Sequence, residues 1–368
     1  MPGVRLLVLW ASAVTAALAA RDPRFFNVFS VTRFENSPCS TESGQGICTL
    51  PDGCGGDQRG PCAGGLGVCC VVEKSCRNTT SQKIAYFVNP NYPETDSADQ
   101  LCDFRLEVTD PDICQVRLDF DEFETRGPET TGADAGTCDR SYLDLAGSGS
   151  DLQIGTDKLC GMLKGQHVYV HLNPMRRGTA HLSMMVRLED QTTGAKWRIR
   201  ATQVDCSERS DLIAPTGCTQ YYNETKGTFE SFNFAGNAYT LNQDYNICIG
   251  SAFGTCKTTF TSSSFQLDMV TASATSGVGM AACDVQTSGT GGLRSDYLFI
   301  PGGSQTGESP TNEKYCGSLL HYMTGKSTSE PVVTRAPGPL VLRFKTDEHF
   351  NEPREQGFRI DFEQSTTC

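Results

Sequence analysis

Eighteen cysteines divide into three blocks of six, and the second and third blocks repeat one another. The second block runs Cys76, Cys102, Cys114, Cys138, Cys160, Cys206, with steps of 26, 12, 24, 22 and 46 residues. The third runs Cys218, Cys248, Cys256, Cys283, Cys316, Cys368, with steps of 30, 8, 27, 33 and 52, so long and short intervals follow nearly the same order. The words around the cysteines agree. Ser141-Tyr-Leu-Asp-Leu follows Cys138 as Asp296-Tyr-Leu-Phe-Ile follows Cys283, Cys160-Gly matches Cys316-Gly, and Trp197-Arg-Ile-Arg matches Phe358-Arg-Ile-Asp before each closing cysteine. Such self-similarity marks the duplication of one disulfide-stapled unit. Residues 76–206 form module one and residues 218–368 module two, with a boundary of only about a dozen residues between them.

Bridges at this density persist only in an oxidising compartment. The N-terminus reads as the route there: Arg5, the apolar run Leu6 to Leu18 and the small residues Ala17, Ala19 and Ala20 follow the plan of a secretory signal over residues 1–20. The run is too short to span a membrane, and no other stretch approaches the roughly 20 apolar residues that spanning needs. Removal of the signal takes away one cation, moving the formal charge from −12 to −13. That acidity disfavours nucleic acid and anionic lipid as partners and favours cations or basic protein surfaces. Asn78-Thr-Thr and Asn223-Glu-Thr satisfy the N-glycosylation rule shortly after the first cysteine of each module, which predicts that both asparagines are exposed.

Helix-period patterns are scarce, while two-residue alternation is frequent. Val116, Leu118 and Phe120 share one face with Arg117 and Asp119 between them, and the same pattern recurs at Trp197, Ile199, Ala201, at Leu340, Leu342, Phe344 and at Phe358, Ile360, Phe362. Short alternating runs separated by Gly, Ser, Thr and Pro predict all-β antiparallel sandwiches, each with a buried and a solvated face.

These residues carry a resemblance. Asn89-Pro-Asn-Tyr-Pro ahead of Cys102, Leu118-Asp-Phe-Asp-Glu-Phe, a cysteine followed by a Tyr-Leu strand, the Cys-Gly pairs, and Leu342-Arg-Phe-Lys-Thr-Asp followed by Gly357-Phe-Arg-Ile-Asp-Phe are similar to the words of the CUB domain. The resemblance covers roughly residues 76–368 and implies two jelly-roll-like β-sandwiches. It also implies first-to-second and third-to-fourth cysteine pairing: Cys76 with Cys102, Cys138 with Cys160, Cys218 with Cys248, and Cys283 with Cys316. One further pair per module, Cys114 with Cys206 and Cys256 with Cys368, departs from the plain pattern and resembles secreted arthropod CUB proteins. Six cysteines by themselves allow 15 pairings.

The first block, Cys39, Cys48, Cys54, Cys62, Cys69 and Cys70, occupies residues 39–70 and ends in an adjacent pair. It resembles a shortened clip domain, and a generic knotted cap fits it nearly as well. Its few apolar residues suggest that bridges supply most of its stability.

Catalytic contexts are missing from the sequence. The five histidines, His167, His171, His181, His321 and His349, have no Ala-Ala-His-Cys neighbourhood, no serine sits in Gly-Asp-Ser-Gly, and there is no His-Glu-x-x-His. His167 and His171 lie on a strand some 13 Å apart at about 3.3 Å per residue, too far to share one metal, and read as residues of a solvated strand. The one constellation with chemistry is calcium, a hard cation that gathers oxygens from separate loops. The resemblance places its ligands in module two at Asp268, Asp296 and Asp347; the alternative is that these acids only hydrogen-bond loop backbone. In module one Ser141 replaces the second acid, with Glu124 and Asp190 near the other two positions.

The expected protein is therefore a secreted, non-enzymatic interaction protein. It would bind an extracellular protein or glycan through CUB-like loops, with calcium in module two and Tyr297 as an exposed aromatic of the binding surface. A regulator of a protease cascade and a structural matrix or cuticle protein are the rival readings.

Overall fold

The computed structural model describes residues 37–148, 150–151, 158–173, 178–190, 194–207, 209–268, 276–283, 296–350 and 356–368. The signal-like residues 1–20 lie outside the described residues. The chain is all-β, with a four-residue helical turn at Met280–Cys283.

Each module is a pair of sheets, and the alternating segments supply their strands. In module one a five-stranded sheet is ordered Lys158–Leu159, Tyr142–Ser148, Ala180–Leu188, Gln100–Val108, Asn78–Thr80. Facing it, a six-stranded sheet is ordered Ser150–Asp151, His167–Leu172, Ile113–Glu124, Lys196–Asp205, Ile84–Val88, Glu73–Lys74. Module two pairs a six-stranded sheet with a four-stranded one, Lys226–Glu230, Gly357–Ser365, Lys257–Gln266, Val332–Thr334. Along Gln100–Val108, Phe104, Leu106 and Val108 are buried while Asp103 and Arg105 are exposed, because a strand with one wet face must alternate. Trp197, fully buried, tilts against Phe87, which stacks on Phe104 at 5.2 Å between ring centroids. Phe358 fills the corresponding place in module two between Phe229, Phe265 and Phe344.

Nine disulfides tie the frame. The modules carry Cys76–Cys102, Cys114–Cys206, Cys138–Cys160, Cys218–Cys248, Cys256–Cys368 and Cys283–Cys316. The first block pairs Cys39–Cys69, Cys48–Cys62 and Cys54–Cys70 around a small four-stranded sheet.

Besides its three bridges, that cap has apolar contacts with module one. Ile47, Cys70, Val71 and Val72 share a buried cluster with Ile84, Ala85, Tyr86 and Val88 of module one, so the cap borrows a core it cannot build itself. Arg198 clamps the join. Its guanidinium lies 3.7 Å from the Tyr86 ring centroid, pairs with Glu73 and Asp121 at 2.8 and 3.0 Å, and donates to the Ser43 carbonyl. Gly44, at φ +131°, is required here, since a Cβ would lie 2.6 Å from the Tyr86 hydroxyl.

Polar contacts join the two modules beside their apolar packing, and here the solvated-strand reading of the histidines is corrected. His167 and His171 are both buried, because the strand carrying them faces module two rather than water. The Tyr221 amide donates to His167 Nε2 at 2.9 Å, and His171 Nε2 donates to the Cys218 carbonyl at 2.7 Å. Gln115 bonds both the amide and the carbonyl of Ala214 in the linker. Burial holds the His167 imidazole neutral, its pKa pushed down to about 3 with the Arg117 charge adding to the effect. Across the same junction the Met162 amide donates to Asn233 Oδ1. Gly161, at φ +83°, makes room, as a Cβ there would meet that oxygen at 2.0 Å. One buried apolar cluster runs from module one into module two, so the cores are continuous rather than separate.

Candidate functional site

The three acids expected to hold calcium come from three segments of module two. Asp268 follows the strand Lys257–Gln266, Asp296 precedes Tyr297–Gly303, and Asp347 follows Leu340–Lys345. The register brings the last two together: Tyr297 pairs with Lys345, so the residues just outside that pair face one another. The Asp347 amide donates to Asp296 Oδ1 at 2.7 Å. All three acids are buried, Asp296 fully.

Tyr239 completes the corner, and the sequence reading had not singled it out. Its hydroxyl donates to Asp296 Oδ2 and accepts the Asp268 amide at 3.2 Å, tying two of the acid-bearing segments together. The Asp347 Oδ1 oxygen accepts the His349 amide at 2.7 Å, while its Oδ2 is buried with no hydrogen-bond partner. Burial pushes the Asp296 carboxyl well above the usual range, opposed by the Tyr239 hydrogen bond and reinforced by the charges of Asp347 and Asp268. Burial raises Asp347 too, with Asp268 again adding repulsion. These groups sense one another, yet among the described residues no three His, Cys, Asp or Glu side chains close on a point where one metal would sit.

Carboxylate oxygens are the donors a hard divalent cation takes; here three segments bring them to a dry corner without closing on one point, and one buried oxygen, Asp347 Oδ2, lacks a donor.

Tyr297 needs correction. It is buried, not exposed, because its strand is flanked on both sides in the sheet and its ring packs against the Cys283–Cys316 bridge. Lys314 covers it from solvent, with Nζ 4.4 Å from the ring centroid. The exposed side chains beside Asp347 are Glu348 and His349. Asn78 and Asn223 are exposed.

The equivalent corner of module one is built otherwise. Ser141 Oγ accepts the Glu189 amide at 3.0 Å and donates to its carbonyl. Beside it Arg126 and Arg140 share Asp190 and Glu129: Arg126 reaches Asp190 at 2.9 Å and Glu129 at 3.1 Å, and Arg140 reaches them at 2.8 and 3.4 Å. Glu124 is exposed and belongs to the strand Ile113–Glu124 rather than to this corner.

Comparison with known families agrees with this architecture. Residues 76–177 match the CUB domain and residues 215–365 the animal CUB domain. The chain is a CUB domain-containing protein with two such domains. Among solved structures, it is similar to the CUB1-EGF-CUB2 domains of rat MASP-1, with 15% identity, 80% of this chain and 99% of that chain covered, and a TM-score of 0.25. The CUB1-EGF-CUB2 domain of human MASP-1/3 gives 16% identity over 77% of this chain and 100% of that one, with a TM-score of 0.23. The full extracellular region of zebrafish Gpr126/Adgrg6 gives 11% identity over 79% of this chain and 36% of that one, with a TM-score of 0.25. No curated protein sequence matches the chain.

CUB domains are extracellular protein-interaction modules and generally non-catalytic, and the disulfide density of this chain is typical of extracellular proteins. Among the described residues no helix is long and apolar enough to cross a membrane.

Proposed function

We propose that this protein is secreted and recognises another extracellular protein through the acidic corner of module two, with a calcium ion holding Asp268, Asp296 and Asp347 in place. The observation that carries the reading is the buried, unpartnered Asp347 Oδ2 among carboxylates that repel one another. A cation supplies that oxygen with a partner and cancels the repulsion, and its binding orders the acid-bearing segments. With the carboxylates neutralised, exposed Glu348 is left to meet a basic side chain of the partner, in keeping with the net charge of −12. Asn78 and Asn223 carry glycans that keep their faces free of protein contacts. Protein recovered from the medium of expressing cells should lose mass on treatment with an N-glycosidase. Isothermal titration of that protein with calcium should give saturable binding at one site, and Asp347→Asn should weaken it at least tenfold. Absence of heat with the folded wild-type chain would remove the metal from the account.

A further inference from the structure

Strand register aligns the two corners residue by residue. Trp197 pairs with Phe123 as Phe358 pairs with Phe265. Two residues on, the Thr125 amide donates to the Gly161 carbonyl as the Leu267 amide donates to that of Gly317. The next residue is Arg126 in module one and Asp268 in module two. On the other side Tyr142 pairs with Arg187 as Tyr297 pairs with Lys345, which aligns Ser141 with Asp296 and Glu189 with Asp347. The same amide-to-side-chain bond agrees with it, donated by the Glu189 amide to Ser141 Oγ and by the Asp347 amide to Asp296 Oδ1. Module two therefore has three acids where module one has a cation, a hydroxyl and one acid.

We propose that Arg126 is the residue that decides which module takes the metal: in module one its guanidinium is a resident cation that binds the loops of the corner together and excludes a divalent ion. The proposal rests on the calcium reading of module two. Its geometry is independent of that reading. Arg126 Nη1 contacts both the side chain and the carbonyl of Asp190, and its other nitrogens reach Glu129. Asp190 holds φ +56°, a left-handed conformation that costs a non-glycine residue, so something must hold it there. Arg126, Arg140 and the carboxylate of Asp99, which accepts the Asp190 amide at 2.9 Å, do so. Single exposed ion pairs are worth little, but here two guanidiniums share two carboxylates from different segments. A metal entering this corner would have to displace a fixed positive charge and would find only one carboxylate at the three aligned positions.

The test converts one corner into the other in the full-length chain. Wild-type protein, Asp296→Asn, and Asp296→Asn combined with Arg126→Asp and Ser141→Asp are titrated with calcium while melting is followed. Wild type should respond, the single variant should not, and the triple variant should regain a saturable response. A responding wild type with a silent, folded triple variant overturns the assignment of Arg126. A silent wild type instead overturns the calcium reading of module two. A second readout needs no metal: hydrogen exchange of the Asp190 amide in chelator should quicken at least fivefold in Arg126→Gln and stay near wild type in Arg126→Lys. Unchanged exchange in Arg126→Gln would show that the guanidinium holds nothing in place.

Discussion

Module one and module two share a pair of sheets, a ladder of three bridges and a buried aromatic at the start of the last strand, yet one corner is sealed by guanidinium and the other by carboxylates. The shared parts are those that set where loops meet. Backbone pairing and disulfides fix Ser141 against Glu189 and Asp296 against Asp347 by the same amide contact. Charge at the meeting point is under no such constraint, since a side chain can be exchanged there without disturbing the ladder. Duplication thus preserved the frame and let the two corners differ in charge: one contains guanidinium groups, the other buries carboxylates that repel one another.

If the cores are equivalent, their largest aromatics should carry similar weight. Trp197→Ala and Phe358→Ala should each cost about 3–5 kcal/mol in denaturant unfolding, the range for emptying a fully buried large aromatic. Since one apolar cluster runs through the junction, each substitution should also lower the stability of the other module. Two independent transitions, with the distant one unmoved, would restore the picture of separate cores.

The junction gives a second, smaller effect. His167 is neutral in the folded protein, with its pKa pushed down to about 3 from an ordinary 6.5, so the unfolded chain binds the proton first as pH falls. A depressed base contributes its full stability above pH 6.5 and loses it as pH falls from 6.5 towards 3. At pH 5 the loss should be about 2 kcal/mol, at roughly 1.4 kcal/mol per pH unit. His167→Gln, whose side-chain oxygen can still accept the Tyr221 amide, should flatten that slope. An unchanged slope would place the acid sensitivity elsewhere, in the carboxylates of the corners rather than between the modules.

Much of this frame was legible in the sequence, because cysteine spacing and alternation are one-dimensional records of bridges and strands. What was not legible depended on packing between distant segments. His167 and His171 sit on a strand like any solvated one, and only the approach of Cys218 and Tyr221, some fifty residues on, buries them. Tyr297 belongs to a strand whose outer face is closed by Lys314 and a disulfide, so position on a strand did not imply exposure. Arg126 was readable but overlooked: it stands twelve residues after Cys114 as Asp268 stands twelve after Cys256. Looking for an oxygen at that place led to Glu124 and passed over a cation. Tyr239 lacked any spacing signal, since its role arises from a hydroxyl reaching two acids brought near by the fold.

The central claim is that the charge at these corners makes module two, and not module one, dependent on a divalent cation. It is tested most directly by melting the full-length protein in chelator and in increasing calcium, beside Asp296→Asn and Ser141→Ala. The account predicts a melting temperature that rises with calcium in the wild type and in Ser141→Ala, by the mass-action term any native-state ligand supplies, about 2.7 kcal/mol at a hundredfold excess over Kd. Asp296→Asn should show no rise. A flat wild-type curve, or a rise that survives Asp296→Asn, would contradict it.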